Sequence, residues 1–576
     1  MTILRLLLLC LSLFGYVLFL YKQCRIEASF TPAITASFIL LTVYLAGILG
    51  ILAWSVYLLV AIGLGLLVWM LVTKKPTEWK KLFLSPALIA LTVFGIYLFF
   101  RFQNRVLYSY DDFSHWGVMV QTMLRTNSFP TAANSFISFQ SYPPGSACFI
   151  YFVSRVLGAK EGFFLFAHAM LTLSYLVPLF TFFNKHRWYD LLLPLVGCVL
   201  IYTNVLDPNC MGVDVLLAAT GLAGVVMIYR YRASLARRVY LLLPLLCVPL
   251  LIKNSGVFFS VVSCCAFLYF LADQKKGTQR ARWIAAGVSI LVPVTLLLLW
   301  RHHVAISFED GLGTKHAMSL ENFLAHWANN KGHALEMLQK ILLWIVNPQM
   351  NKTIYLLGGL IALAGVEAAL HRDKQANARN IEFLAVLLLV TFLYEVGVAL
   401  MYLFSMPLAE FNYQNGADYY RYNSTIVDFL IGIALLWCGK KLKDLTETAS
   451  QKSKPYRWVL RVGLLALLLV CLIPGTQIQT LAPAFRTELE TQVEHIHAVL
   501  DEEKIGSGGS YYLKTYPDDQ DLGAHMFSYL LFSGNLESTS EPVDSSEIPE
   551  IVSFYDAYLY WNKEDFKVYT AESFSE

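Results

Sequence analysis

Tyr108-Ser109-Tyr110-Asp111-Asp112-Phe113-Ser114-His115-Trp116-Gly117 sets two adjacent carboxylates, a histidine and a tryptophan just past a long apolar run. An ion placed at the mouth of an apolar segment loses hydration, so an acidic pair there asks for a purpose. Residues 111–126 read as a helix, because Phe113, Trp116, Val120, Met123 and Leu124 recur at helical spacing. Such a helix can lie in a membrane interface with Trp116 as its aromatic anchor. Asp111 and Asp112 then stand at its N-terminus, where the helix dipole favours carboxylates. Capping is one reading of the pair. The other is chemical: a carboxylate can take a proton from a hydroxyl during group transfer. Neighbouring helix positions point about a hundred degrees apart, so the two acids need not share one task.

The surroundings of this stretch decide the fold class. The chain has 576 residues, 57% hydrophobic and 15% charged, with a mean hydropathy of +0.53. Soluble domains carry roughly a quarter charged residues. Apolar stretches recur at 2–21, 31–50, 54–73, 82–100, 161–183, 189–204, 213–229, 239–252, 256–272, 283–300, 353–370, 381–404, 423–438 and 457–474. Their lengths, near the ~20 residues needed to cross a bilayer, predict an all-α polytopic membrane protein of about 14 transmembrane helices. Residues 1–21 read as a retained first span: the apolar run is too long for a signal peptide, and no small-residue cleavage site follows. The segments 239–252 and 256–272 meet at Lys253-Asn254-Ser255-Gly256, as two spans or one interrupted pair. A broken helix is tolerated at membrane depth only where it lines a protein-enclosed cavity.

Basic residues predict the orientation. They crowd the short loops at Lys74, Lys75, Lys80 and Lys81; at Arg230, Arg232, Arg237 and Arg238; at Lys275, Lys276, Arg280 and Arg282; and at Lys440, Lys441, Lys443, Lys452 and Lys454. With fourteen spans, these loops share one side with Lys22 and Arg25, Lys185 and Arg187, and Arg372 and Lys374. That side is expected to be cytoplasmic. Both termini and the long loops 101–160, 301–352 and 405–422 then face outward. Three parts are expected: N-terminal helices over 1–81, a transmembrane core over 82–475, and a small extracytoplasmic α/β accessory domain over 476–576. The last is polar and acidic, with strand-like Tyr511–Thr515 and Glu550–Phe554.

The ten cysteines are scattered and form no CxxC pair, so neither a disulfide framework nor a zinc site is expected. Nothing in the charge pattern calls for nucleic acid. Ser141-Tyr142-Pro143-Pro144-Gly145-Ser146 reads as a rigid turn that aims its loop, because each proline fixes φ. On the outer face stand Lys253 at the helix break, Arg421 in Tyr419-Tyr420-Arg421-Tyr422, Asp214 at a segment start, and Arg301-His302-His303 at another segment's end. Lys253 could snorkel and Arg421 could anchor an interface; both could equally hold a phosphate. Capping is the main reading of Asp214. His115, about one turn from Asp111, could orient a phosphate or a base.

An acidic pair in the first large outer loop, a following interfacial helix, a Pro-Pro turn and many spans together resemble the GT-C superfamily of integral-membrane glycosyltransferases. The likeness covers about residues 82–440 and extends to protein O-mannosyltransferases, aminoarabinose transferases and the bacterial family-39-like group. It implies a sugar moved from a polyprenyl-phosphate carrier to an envelope glycan, glycolipid or protein acceptor, in the cell membrane and on the extracytoplasmic side. It places Asp111 at the family's proposed base and Asp112 at its second acid. Lys253, Arg421, Asp214, His115 and His302 are the substrate-binding candidates. Two carboxylates and a histidine could hold a divalent ion, but the resemblance implies no metal and no cofactor. One departure stands out: the family's acidic loop usually follows the first span, and here it follows the fourth. The rival readings are a transporter or flippase of lipid-linked saccharides, and an envelope-glycan polymerase.

Overall fold

The computed structural model describes the chain except residues 74–76, 184–186, 205–206, 275–276, 310–318, 372–373, 414–416, 448–452, 473–476, 564 and 575–576. Each apolar segment read from the sequence falls on a helix. Among the described residues, seven helices are long and apolar enough to cross a membrane: Thr2–Lys22, Ala28–Ile48, Leu52–Thr73, Glu161–Phe180, Arg232–Ile252, Gln279–Ser307 and Lys374–Phe404. Five more are apolar but shorter, among them Pro86–Phe102 and Gly256–Ala272. Of the basic residues used for orientation, Lys74, Lys75, Lys185, Lys275, Lys276, Arg372 and Lys452 lie outside the described residues.

The hub of the helical body is Asp214–Arg230. It packs against Glu161–Leu176, Leu235–Ile252, Gly256–Ala272 and Ala417–Glu447. Every residue from Asp214 to Gly224 is buried, as expected of a helix apolar all round. The break in the middle of the chain is real. Leu235–Ile252 contains Pro244 and Pro249, and Lys253 leaves it in an extended conformation, φ −155° and ψ 154°. The chain restarts as a helix at Gly256. A Cβ on Gly256 would stand 1.8 Å from the Pro249 carbonyl oxygen, so the tight return needs a glycine.

The C-terminal region forms a four-stranded sheet in the order β2-β1-β3-β4. Its strands are β1 Tyr511–Lys514, β2 Leu536–Thr539, β3 Ala557–Trp561 and β4 Phe566–Tyr569. β1 pairs in parallel with both β2 and β3, and β4 closes the edge antiparallel to β3. Glu550–Phe554, expected as a strand, lies instead in the helix Ile548–Phe554. Pro549 in its first turn presets a helical φ. Ile548 and Val552, one turn apart, then pack on Tyr558 of β3. On the other face, Phe527 of the helix Gln520–Leu530 meets Phe566 at 5.2 Å and Trp561 at 6.1 Å. This core is continuous with the helical body, because Tyr511, Trp561 and Phe566 belong to the same buried cluster as the membrane helices.

Candidate active site

The acidic stretch enters the site from a stapled helix end. Arg101, at the end of Pro86–Phe102, donates to the carbonyls of Thr480 at 2.9 Å and Phe485 at 3.2 Å. Arg105 donates to both oxygens of Glu490, at 2.6 and 2.5 Å, and to the Phe485 carbonyl. The Leu107 N–H donates to Glu161 Oε2 at 2.8 Å. Asp112–Trp116 then forms one turn of π-helix before the α-helix Gly117–Thr126. Neither aspartate uses its side chain to cap this start, so the capping reading is corrected: each carboxylate has a partner elsewhere.

Asp111 Oδ2 accepts from Arg421 at 2.8 Å, in a pair whose side chains are 35% and 28% exposed. Asp112 is fully buried. Its Oδ1 accepts the Met211 N–H at 3.1 Å, and its Oδ2 has no partner among the described residues. Burial pushes the Asp112 carboxyl well above the usual carboxylate range, and the negative charges of Asp111, Glu161 and Asp207 add to this against the Met211 N–H. The surroundings of Asp112 therefore favour its protonated form, while Asp111 faces an arginine at a half-open surface. Trp116 is no interfacial anchor. It is buried between His115 and Tyr142, stacked on the latter at 5.8 Å. Tyr529 packs on Phe113 at 5.4 Å, and the Arg125 guanidinium lies 4.3 Å over the Phe532 ring.

The cations arrive from two other elements. Lys253, set at the helix break, donates to Asp214 Oδ1 at 2.8 Å. Asp214 stands at the start of Asp214–Arg230 yet makes no cap; the lysine takes its carboxylate. Arg421 lies in the first turns of Ala417–Glu447, with Asp418 at 3.7 Å and the Tyr422 hydroxyl at 3.3 Å. The Tyr422 ring ties the two cations together, since Lys253 Nζ and the Arg421 guanidinium each lie 5.2 Å from its centroid. Lys253, Arg421, Asp111 and Asp214 thus form one alternating cluster. Cations over an aromatic face keep their charge while losing part of their hydration.

The Pro-Pro turn belongs to this cluster. Trp300 Nε1 donates to the Ser141 carbonyl at 3.0 Å, and Asn254 Nδ2 donates to Ser141 Oγ at 3.2 Å. Gly145 serves close approach: a Cβ there would meet the Leu251 carbonyl oxygen at 2.4 Å. Tyr142 is buried, and its hydroxyl is pushed well above the usual tyrosine range, chiefly by burial. His115 is fully buried against Trp116 at 4.3 Å, Tyr142 at 5.2 Å and Phe139 at 5.8 Å. Neither ring nitrogen has a hydrogen-bond partner among the described residues. Burial first, and the Lys253 charge second, push His115 down to about 3, so it is a neutral imidazole at physiological pH.

His302 is not brought here. The helix Gln279–Ser307 runs on past Trp300, so position 302 falls on its exposed face. His303 turns inward instead, with Nε2 3.0 Å from the Pro130 carbonyl oxygen and its ring stacked on Trp300 at 5.1 Å. Sequence reasoning missed Tyr142 and Tyr422. The signal was present for Tyr422: an arginine flanked by tyrosines at a segment start is a cation in an aromatic setting. Among the described residues, no group of three or more His, Cys, Asp or Glu side chains could hold a metal ion.

No family model and no curated protein matches the chain. Two solved structures of ArnT from Cupriavidus metallidurans align with it. The one bound to undecaprenyl phosphate has 13% identity and a TM-score of 0.42, covering 81% of this chain and 87% of that one. The apo form has 12% identity and a TM-score of 0.43, covering 82% and 92%. Superposition at this level leaves the functional reading to the chemistry of the site.

Proposed function

We propose that the chain is an integral-membrane glycosyltransferase that moves a sugar from a polyprenyl-phosphate carrier to a cell-envelope acceptor. The observation that carries this reading is the Asp111–Arg421 pair beside Lys253: a half-exposed carboxylate in contact with a cation, and a second cation across one tyrosine ring. Arg421 and Lys253 receive the lipid phosphate, Arg421 through its planar fork and Lys253 as a point charge. The incoming phosphate competes for Arg421 and frees the Asp111 carboxylate. Asp111 then takes the proton of an acceptor hydroxyl, whose oxygen attacks the anomeric carbon. The bond from that carbon to the phosphate oxygen breaks, and its electron pair leaves with the polyprenyl phosphate, where the two cations stabilise it. Asp112, neutral and sealed, holds the Met211 backbone and does not react. In this reading the chain crosses the membrane fourteen times, with the cluster and the C-terminal unit outside. No metal takes part.

The test is transfer in membranes supplied with a panel of polyprenyl-phosphate sugars. Asp111→Asn is expected to lower the rate by about 10²–10⁴-fold, the range of a general base. Full transfer by that variant would overturn the mechanism.

A further inference from the structure

Beyond the cation cluster, the same stretch of Ala417–Glu447 carries a second set of buried polar groups, and these divide into two kinds. Glu395 is saturated with donors: Asn351 Nδ2 at 2.9 Å, the Tyr419 hydroxyl at 3.0 Å and Asn423 Nδ2 at 2.5 Å. Asp428 is not. Asn204 Nδ2 donates to Asp428 Oδ1 at 2.8 Å, and the two residues are 2% and 1% exposed. Among the described residues, Asp428 Oδ2, Asn204 Oδ1 and Asn423 Oδ1 have no partner, although Asn423 is also only 1% exposed. Lys352, likewise buried, lies within electrostatic reach of Asp428, and so does Asp214 of the cation cluster.

The Asn351, Tyr419 and Asn423 donors are thus spent on Glu395, and among the described residues three buried acceptors nearby are left over. Buried acceptors without partners are rare, and they mark a place for a ligand rich in donors. A phosphate brings only acceptors and suits the cations; a sugar ring brings hydroxyl donors. We propose that Asn204, Asp428 and Asn423, with Lys352, form the subsite that reads the sugar ring of the donor, next to the cations that hold its phosphate. This rests on the glycosyltransferase reading above. The ring hydroxyls donate to the three acceptors, with the Lys352 charge within electrostatic reach of Asp428. With Asn423 and Asp428 on one long helix, such a site discriminates strongly, because a sugar lacking the matching hydroxyl leaves a buried acceptor unfilled.

The test uses the full chain in lipid nanodiscs. Binding is measured for bare polyprenyl phosphate and for a panel of polyprenyl-phosphate sugars. Asp428→Asn is expected to weaken the preferred sugar-loaded lipid by roughly tenfold or more and to change the ranking of sugars. Bare polyprenyl phosphate should bind as in the parent chain. Asn204→Ser, a second variant against a folding failure of the first, should show the same split. Equal effects on loaded and bare lipid, or none on either with only a lowered melting temperature, would make the pair a polar bridge between helices and overturn the subsite. A separate control addresses the underlying reading: if Lys253→Ala and Arg421→Ala leave bare polyprenyl phosphate binding unchanged, the donor reading fails and this inference with it.

Discussion

Two arginine–carboxylate pairs flank the same ten-residue stretch, and their chemistry is nearly identical. Arg105–Glu490 is 3% and 1% exposed, with both carboxylate oxygens taken and the Phe485 carbonyl added. Arg421–Asp111 is 28% and 35% exposed and rests on one 2.8 Å contact. Contact lists alone would call both salt bridges. Exposure separates them. A sealed pair cannot exchange its partner without leaving a bare ion in a low dielectric, so it fixes architecture. A half-open pair can swap the carboxylate for a phosphate at little cost, so it can serve turnover. The two aspartates repeat this contrast one residue apart, with Asp111 open and paired and Asp112 closed and pushed toward its protonated form.

The contrast can be broken in order of expected effect. Glu490→Ala strands Arg105 and should cost about 3–5 kcal/mol of stability, read as a large fall in melting temperature or loss of folded protein in detergent. An unchanged melting temperature would deny the sealed pair its architectural role. Arg421→Ala should leave stability within about 1 kcal/mol, as for other partly exposed pairs. Transfer should nevertheless fall roughly 10²–10³-fold, as when one charge-stabilising donor is removed. If stability and activity fell together, the two pairs would be of one kind. Asp112→Asn should be neutral or stabilising near pH 8, by up to about 1 kcal/mol. The sign follows from burial. The folded carboxyl binds its proton more tightly than the unfolded one, so the parent chain loses stability as pH rises above the unfolded value. The advantage of the variant should therefore shrink toward pH 4, as followed by thermal melts across pH. The smallest effect concerns metal: transfer after chelation is expected to equal that before it, and loss restored by a divalent ion would overturn this.

Much of the architecture could be read from the chain because a membrane chain advertises its helices. Long apolar runs lie where helices stand, and Lys253-Asn254-Ser255-Gly256 marked the break. Less could be read where the answer depended on distant residues. The π-turn at Asp112–Trp116 has no signature in its own letters. Trp116 is buried against Tyr142 of the Pro-Pro turn, more than twenty residues later, and an aromatic residue on a helix in isolation looks like an anchor. Asp214 was given a local task because capping is local, whereas its partner Lys253 lies across a helix pair. Glu550–Phe554 misled because a short Ile-Val run suits strand and helix alike; the preceding Pro549 was the deciding letter. His302 was chosen over His303 because the segment was ended at Trp300, before the helix continued.

The seating of Tyr529 over Phe113 also sets a schedule. The acidic pair leaves the ribosome near the start of synthesis, and the groups that close over it leave near the end. Until Gln520–Leu530 is made, Phe113 and Gly117 lack the Tyr529 ring that packs on them. A nascent chain thus carries this turn without its aromatic cover for most of its birth, and the last hundred residues supply it. A chain truncated before the sheet would keep the membrane helices and lack that cover on the turn that holds the acidic pair.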